Sequence, residues 1–435
     1  MSDQIQVIRG MHDILPADMP VWNQLEDCYR ELAESYGYQQ IRTPIVEKSA
    51  LFQRSIGEVT DIVEKEMYSF LDRNGDSLSL RPENTASVVR AGLEHGLLND
   101  QQHRLWYCGP MFRHERPQKG RYRQFHQLGA ETFGMAGADI EAELIFLAAR
   151  FWHRLGLKNI ELQINTLGTS ECRNKFRKLL VDYFKDSFQA LDEDSRRRLE
   201  SNPLRILDSK NPEMQTLINE APRLIDNLDQ QSGDHFSELR DILDYAGVSY
   251  ELNPRLVRGL DYYSHTVFEW VTNTLGAQGT ICAGGRYDGL VEQLGGRPNT
   301  AAGFAMGCER IISMLIDQNQ ANRARPCDVY MLVRGEQTVR VAQKLSESLR
   351  NRMPQLSILV HSGGGSFKSQ MRKADRSGAN IALILGESEI EAATISIKFL
   401  REDSEQIEIP QADLNDWLLQ MIERQDQTEN NEINI

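Results

Sequence analysis

The sequence has no Walker loop GxxxxGK[ST], no GxGxxG, no HExxH and no GxSxG. Any nucleotide chemistry in this chain would therefore rely on side chains rather than a glycine phosphate loop. Cysteine is scarce: six residues (Cys28, Cys108, Cys172, Cys282, Cys308, Cys327) lie scattered through 435, with no CxxC pair. That argues against a disulfide scaffold or a structural zinc site and fits reduced thiols. No stretch approaches the ~18 uninterrupted apolar residues of a membrane span. The most apolar helical run, Ala142 to Leu157, is broken by Arg150, His153 and Arg154. The opening MSDQIQVIRGMHDILP has neither a basic-then-apolar signal pattern nor an Arg/Ser-rich presequence, so a cytoplasmic protein is expected. Positive charge is also short. Forty-nine Lys and Arg against 63 Asp and Glu give −14, which excludes a globally basic nucleic-acid binder but not a local basic patch.

What is present is a folded chain: 40% hydrophobic and 26% charged residues over 435 positions, enough for two or three domains. Apolar spacing predicts a helix over Trp22–Tyr36, stopped by Gly37. GYQQIRTPIVEKSALF reads as a strand, a break at Pro44 and a second element. Tyr68–Leu71 and Ser77–Leu80 flank Asn74-Gly75, a hairpin signal. Leu105–Arg113 and Arg123–Phe133 read as strands joined by the basic loop HERPQKGRY, with Arg113 and Glu115 alternating on one strand face. A helix over Ile140–Leu155 and a strand over Ile160–Asn165 follow. From Ser170 to Ala246 the composition turns charged and helical, as an insertion would. Strand signals return at Tyr250–Val271 and Gly279–Gly296, and a helix is expected from about Phe304. Beyond Pro326, strands alternate with helices, the pattern of an α/β domain. The last residues, RQDQTENNEINI, are polar and expected to be disordered.

Four segments carry the chemistry. Met111–Gln127, MFRHERPQKGRYRQFHQ, packs Arg113, Arg116, Lys119, Arg121 and Arg123 against one Glu115. Such a hairpin either holds phosphate and nucleic acid or is an ion-paired surface. LVRGLDYY gathers Arg258, Asp261, Tyr262 and Tyr263. CAGGRYDGL sets small residues beside Tyr287. AAGFAMGCERI leads into a helix opening with Glu309 and Arg310. Each alone is equally a tight turn with core aromatics. Together, without a nucleophile or a metal cluster, they point to binding and positioning. Gly363-Gly364-Gly365 reads as a flexible turn before a helix.

In this order the segments resemble the class II aminoacyl-tRNA synthetases, and among them the bacterial histidyl-tRNA synthetases. TPIVE with Pro44 is similar to the first class motif, FRHERPQKGRYRQFHQ to the second and GFAMGCERI to the third. LVRGLDYY and AGGRYDGL are similar to the two histidine motifs, and RPENTASVVR at Arg81–Arg90 also matches. The resemblance implies an α+β multidomain chain. A catalytic core with an antiparallel sheet and helices would span 1–169 and 248–325. It would be interrupted by a helical insertion at 170–247 and followed by an α/β anticodon-binding domain at 326–424 and a tail at 425–435.

It also implies residue roles. Histidine is activated by ATP to histidyl-adenylate and pyrophosphate, without a covalent enzyme intermediate, and is then passed to the 3′ end of tRNA(His). Arg113 and Arg258 would act on the α-phosphate from opposite sides. Arg310 would stack on adenine, and Glu115, Arg121 and Phe125 would complete the ATP site, with Mg²⁺ on the β- and γ-phosphates. Glu83, Thr85 and Gln127 would take the α-amino group. Glu131 and Tyr263 would pair with the imidazole nitrogens, with Tyr262, Tyr287 and Arg258 in the same pocket. Arg116, Gln118 and Lys119 would touch the acceptor end of tRNA. A homodimer through the elements around Pro44 is implied, and no membrane.

Individual alternatives stay open. Glu83 is either an amino-group ligand or a helix cap, and Tyr262 either a site or a core residue. His114 and His126 read as structural, and Glu309 as an orienter of Arg310. Lys368, Arg372, Lys373 and Arg376 form either an anticodon contact or a solvated face. The regulatory subunit of ATP phosphoribosyltransferase shares such a core. It generally lacks the anticodon domain and departs at the motif positions, whereas this chain keeps Glu83, Arg113, Arg121, Arg258 and Arg310. A sensing module fused to a kinase is disfavoured because no kinase motif occurs.

Overall fold

The computed structural model describes residues 4–56, 60, 62–99, 101–118, 120–207, 209, 211–257, 260, 262–275, 279–322 and 327–421. Lys119, Arg258, Asp261 and the tail from 422 lie outside the described residues, so the expectations placed on them are neither supported nor opposed. The chain divides into two units, Met1–Arg323 and Ala324–Ile435.

The strands of the first unit, in chain order, are β1 (Gln39–Gln40), β2 (Val46–Lys48), β3 (Ser69–Leu71), β4 (Ser77–Leu80), β5 (His103–Phe112) and β6 (Gln124–Phe133). β7 (Glu161–Thr166), β8 (Glu251–Leu252), β9 (Ser264–Val271), β10 (Thr280–Arg286) and β11 (Ala301–Gly307) complete them. Eight form one sheet in the order β1-β5-β6-β11-β10-β9-β7-β8. All pairings within it are antiparallel except β1 with β5 and β7 with β8. β2, β4 and β3 make a separate small sheet.

Side-chain alternation gives the large sheet two different faces. Leu128, Ala130, Phe304, Met306 and Phe268 point to a core covered by the helices Met19–Ser35, Asp139–Arg154 and Cys308–Asp317. The first of these ends as expected at Gly37, whose φ of +80° no β-carbon residue adopts cheaply. The other face carries Phe125, Gln127, Gly129 and Glu131 on β6 beside Gly303, Ala305 and Gly307 on β11. Helices of the segment 170–245 pack beyond this face: Phe176, Leu180 and Phe184 share an apolar cluster with Tyr262, Tyr263 and Tyr287. The helix Gln230–Tyr245 instead joins the opposite core through Phe236, Leu239 and Leu243.

Two local expectations are corrected. The helix expected from about Phe304 begins at Cys308, because Ala301–Gly307 is β11. Phe304 pairs with Ala130 on one side and Gly284 on the other. The small residues of AAGFAMG conceal a strand that is enclosed on both edges. Arg113 and Glu115 do not share a strand face, since β5 ends at Phe112 and both sit in the following loop. The Arg113 amide still closes the hairpin onto the Arg123 carbonyl at 3.0 Å.

The second unit is a five-stranded sheet of β12 (Val329–Val333), β13 (Ile358–Val360), β14 (Ile381–Leu385), β15 (Thr394–Phe399) and β16 (Ile407–Pro410). Its order is β13-β12-β14-β15-β16, parallel around β12 and antiparallel from β14 outward. The helix Phe367–Arg376 displays Lys368, Arg372, Lys373 and Arg376 to solvent.

Candidate active site

The small residues of β6, β10 and β11 open a cleft of about 200 Å³ on the first unit's sheet. Residues singled out from the sequence line it: Glu83, Thr85, Gln127, Tyr262 and Tyr263, with Arg113, Glu115, Arg121, Phe125, Glu309 and Arg310. Glu131 and Tyr287 lie just behind the first group, both fully buried. Arg116 and Gln118 are exposed on the loop between β5 and β6.

The acidic end is built on glycines. Glu131 of β6 pairs across the ladder with Gly303 of β11, and Gly303 pairs in turn with Gly285 of β10. A Cβ on Gly303 would fall 1.8 Å from Glu131 Oε2, so only glycine lets this carboxyl lie across β11. There it accepts the hydroxyl of Tyr287 on Oε2 and that of Thr85 on Oε1 at 2.7 Å. Tyr107 of β5 extends over Gly129 in the same way and donates to Oε1 at 3.4 Å. Burial outweighs these donors and pushes the Glu131 carboxyl up to about 8. Burial likewise raises Tyr107, Tyr262 and Tyr287 well above the ordinary phenol value.

Glu83 settles one alternative in part. Its carboxylate accepts the backbone N–H groups of Thr85 at 2.6 Å and Ala86 at 3.0 Å, capping the helix Thr85–Glu94. It also lines the cleft, so the cap fixes a buried carboxylate in place. Burial raises its pKa, and those N–H groups oppose the shift. Gln127 Oε1 is buried and has no hydrogen-bond partner.

The basic end is held by carbonyls and one carboxylate. Arg113 Nε donates to the Pro82 carbonyl at 2.9 Å, with its guanidinium 5.2 Å over the Phe125 ring. Glu115 pairs with Arg121 at 2.7 Å and stands 3.9 Å from Arg113. Arg310 donates from Nε to the Gly120 carbonyl at 3.1 Å and from Nη1 to that of Thr280. Burial first, then Arg121 and Arg113, pull the Arg310 guanidinium below its ordinary value. Arg113, Arg121 and Arg310 converge here around Glu115, an arrangement that an anionic ligand relieves.

His126 and Glu309 brace this end. Glu309 accepts from the His126 backbone N–H at 2.9 Å and meets its Nδ1 at 3.0 Å, tying the start of the helix Cys308–Asp317 to β6. Sequence reasoning missed Tyr107, Gly129 and Tyr122. The first two are legible only once β5 and β6 are paired in register, which brings Tyr107 opposite Gly129.

A family profile described as Histidyl-tRNA synthetase matches residues 10–311, and one described as Anticodon binding domain matches residues 328–421. The chain belongs to the histidyl-tRNA synthetase family. It is 57% identical over 410 residues to a histidine–tRNA ligase of Hydrogenovibrio crunogenus, covering 94% of this chain and 96% of that one. Its fold matches apo histidyl-tRNA synthetase of S. aureus with a TM-score of 0.81 and 34% identity, over 95% of this chain and 99% of that one. A Bacillus halodurans structure titled ATP phosphoribosyltransferase regulatory subunit/histidyl-tRNA synthetase shares the fold, with a TM-score of 0.61 and 22% identity, over 86% and 97%. The class II core and the α/β C-terminal domain expected from the sequence motifs are those of this family.

Proposed function

We propose that this cleft makes histidyl-adenylate, with the labour divided between its two ends. The chain is a histidine–tRNA ligase: ATP and L-histidine give histidyl-adenylate and pyrophosphate, and histidine then passes to the 3′ end of tRNA(His). The observation that carries the residue assignment is one cleft lined both by buried acceptors and by converging arginines.

Glu83, Thr85 and the unpartnered Gln127 Oε1 take the α-ammonium group. Glu131 and Tyr263 meet the imidazole nitrogens, with Tyr262, Tyr287 and Arg258 completing the pocket. An analogue lacking those nitrogens leaves buried polar groups unpaired, which discriminates by ~10⁴–10⁵. Arg113 and Arg258 stabilise charge on the α-phosphate while the histidine carboxylate attacks phosphorus and pyrophosphate leaves. Glu115, Arg121, Phe125 and Arg310 hold the rest of ATP. Magnesium brought in with ATP would supply positive charge to the departing pyrophosphate. The cleft carboxylates Glu115 and Glu309 are already engaged by Arg121 and His126, which fits an ion held by phosphate.

Arg116, Gln118 and Lys119 contact the acceptor end of tRNA, residues 170–247 form an arm on its stem, and residues 326–424 read the anticodon. The protein works in the cytoplasm as a homodimer through the elements around Pro44. Val46, Phe70 and Leu71, apolar and exposed on the small sheet, support that surface.

Histidine-dependent exchange of labelled pyrophosphate into ATP tests the reading, with Arg113→Lys and Arg258→Ala alongside. Exchange with histidine alone, reduced ~10²-fold or more in each variant, is expected. Histidine binding without exchange would replace catalysis by sensing.

A further inference from the structure

Residues 4–18 precede the first helix and join no strand, yet Gly10 is buried. Its φ is +86°, and a Cβ there would lie 2.8 Å from Pro117 Cγ and 3.0 Å from Arg123 Cγ. Pro117 belongs to the loop between β5 and β6, which carries Arg113, Glu115 and Arg121. The Gly10 carbonyl accepts the Arg123 amide N–H at 2.7 Å. The Arg123 guanidinium then reaches both ways: Nη1 donates to the Arg9 carbonyl at 3.3 Å and Nε to the Glu115 carbonyl at 3.2 Å. Two residues on, His12 stands edge-on to Tyr122 with ring centroids 4.9 Å apart. Tyr122 lines the cleft.

We infer that Arg9–His12 is a brace that fixes this loop over the cleft, with Gly10 and Arg123 as positioning residues for ATP. The inference rests on the reading of Arg113, Glu115 and Arg121 as ATP-site residues. Its path is short. Arg123 holds the backbone of Glu115, and the Glu115 carboxylate holds Arg121 at 2.7 Å and faces Arg113 at 3.9 Å. Other ties to the loop include the Arg113 Nε on the Pro82 carbonyl, the His114 amide on the Glu66 carbonyl and Arg310 on Gly120. Without the brace, ordering the loop draws on the binding energy of ATP, and the arginines reach the phosphates with relaxed geometry. The histidine end does not share this dependence. Glu83 and Thr85 stand at a capped helix start, and Gln127 and Glu131 on β6.

The test is pyrophosphate exchange by the full chain carrying Gly10→Ala, Arg123→Met, Arg123→Lys or Arg121→Ala, with melting temperatures. Gly10→Ala and Arg123→Met are expected to raise the KM for ATP about tenfold and move that for histidine less than about twofold. Melting temperatures should stay within about 3 °C of wild type. Arg123→Lys should recover part of the loss, since an ammonium still donates to one of the carbonyls. If both KM values rise together with a fall in melting temperature, the segment merely supports the fold and the inference is overturned. It is also overturned if Arg121→Ala raises the KM for ATP while the brace variants do not. If Arg121→Ala leaves that KM unchanged, the reading of the loop at ATP fails, and the brace with it.

Discussion

Tyr287 donates its hydroxyl to Glu131 across an intervening strand, and the two residues meet because Gly303 of β11 leaves the space between them empty. The pair is fully buried, so the protonation of Glu131 affects both folding and recognition. Unfolded, this carboxyl ionises near 4.5; folded, it keeps its proton up to about 8. Between those values the folded state binds one more proton than the unfolded chain. Stability from this group is therefore fully present below about pH 4.5 and is lost as pH rises toward 8, by up to ~1.4 kcal/mol per pH unit. Glu131→Gln removes the titration. Denaturant melts of wild type and variant at pH 6 and pH 8 should show the wild type losing stability relative to the variant. A difference that does not change with pH would show that Glu131 ionises normally in the fold.

How much of this site could be read from the sequence depends on whether a residue's partner is near in the chain or across the sheet. The basic loop, the tyrosine pair and the glycine–arginine–tyrosine run stand out locally, because each concentrates unusual chemistry in a few residues. The hairpin around Asn74-Gly75 and the helix stopped by Gly37 are equally local, and both form as their turn residues demand. Tyr107 and Gly303 are different. Each acts through register, opposite Gly129 and Glu131, and no spacing along the chain states which residue faces which. The same gap misplaces the helix start at Phe304, since a strand of small residues enclosed on both edges has no polar alternation to reveal it. Arg81 is a further case: its buried guanidinium joins the carbonyls of Thr43 and Pro110, contacts fixed only by the fold.

Gly303→Ala tests the glycine floor directly. The new Cβ would meet Glu131 Oε2 at 1.8 Å and the Ala130 carbonyl at 2.5 Å, so the carboxyl must leave Tyr287 or the ladder must part. Displacing a buried polar group from its partner costs ~1–3 kcal/mol, which converts to roughly five- to 150-fold in binding. The KM for histidine in pyrophosphate exchange should rise by that factor, with a much smaller change for ATP, whose proposed contacts lie at the other end of the cleft. Equal KM values for wild type and variant would mean that Glu131 takes no part in binding histidine.

One buried charge network supports the pocket from behind. Glu141, wholly buried on the helix Asp139–Arg154, accepts from Arg286 Nε at 2.9 Å and meets His235 Nε2 at 2.9 Å. Arg286 also donates to the carbonyls of Met135 and Gly137 and to Asp288, which receives the Ala301 amide. It immediately precedes Tyr287, so the network sets where β10 ends and where the Tyr287 hydroxyl begins its reach to Glu131. Arg286 and the His235 contact hold the Glu141 carboxyl below its usual range despite burial. Glu141→Gln removes the nearer of two carboxylates that face the buried Arg286, Asp288 remaining at 3.2 Å, and should cost ~1–3 kcal/mol. Glu141→Gln with Arg286→Met removes both charges and should recover much of that loss, while histidine binding stays impaired because β10 has lost its anchor. Equilibrium denaturation of both variants, with calorimetric titration of histidine, separates the two effects. If the double variant is no more stable than Glu141→Gln, the cost lies in lost packing and not in an uncompensated guanidinium.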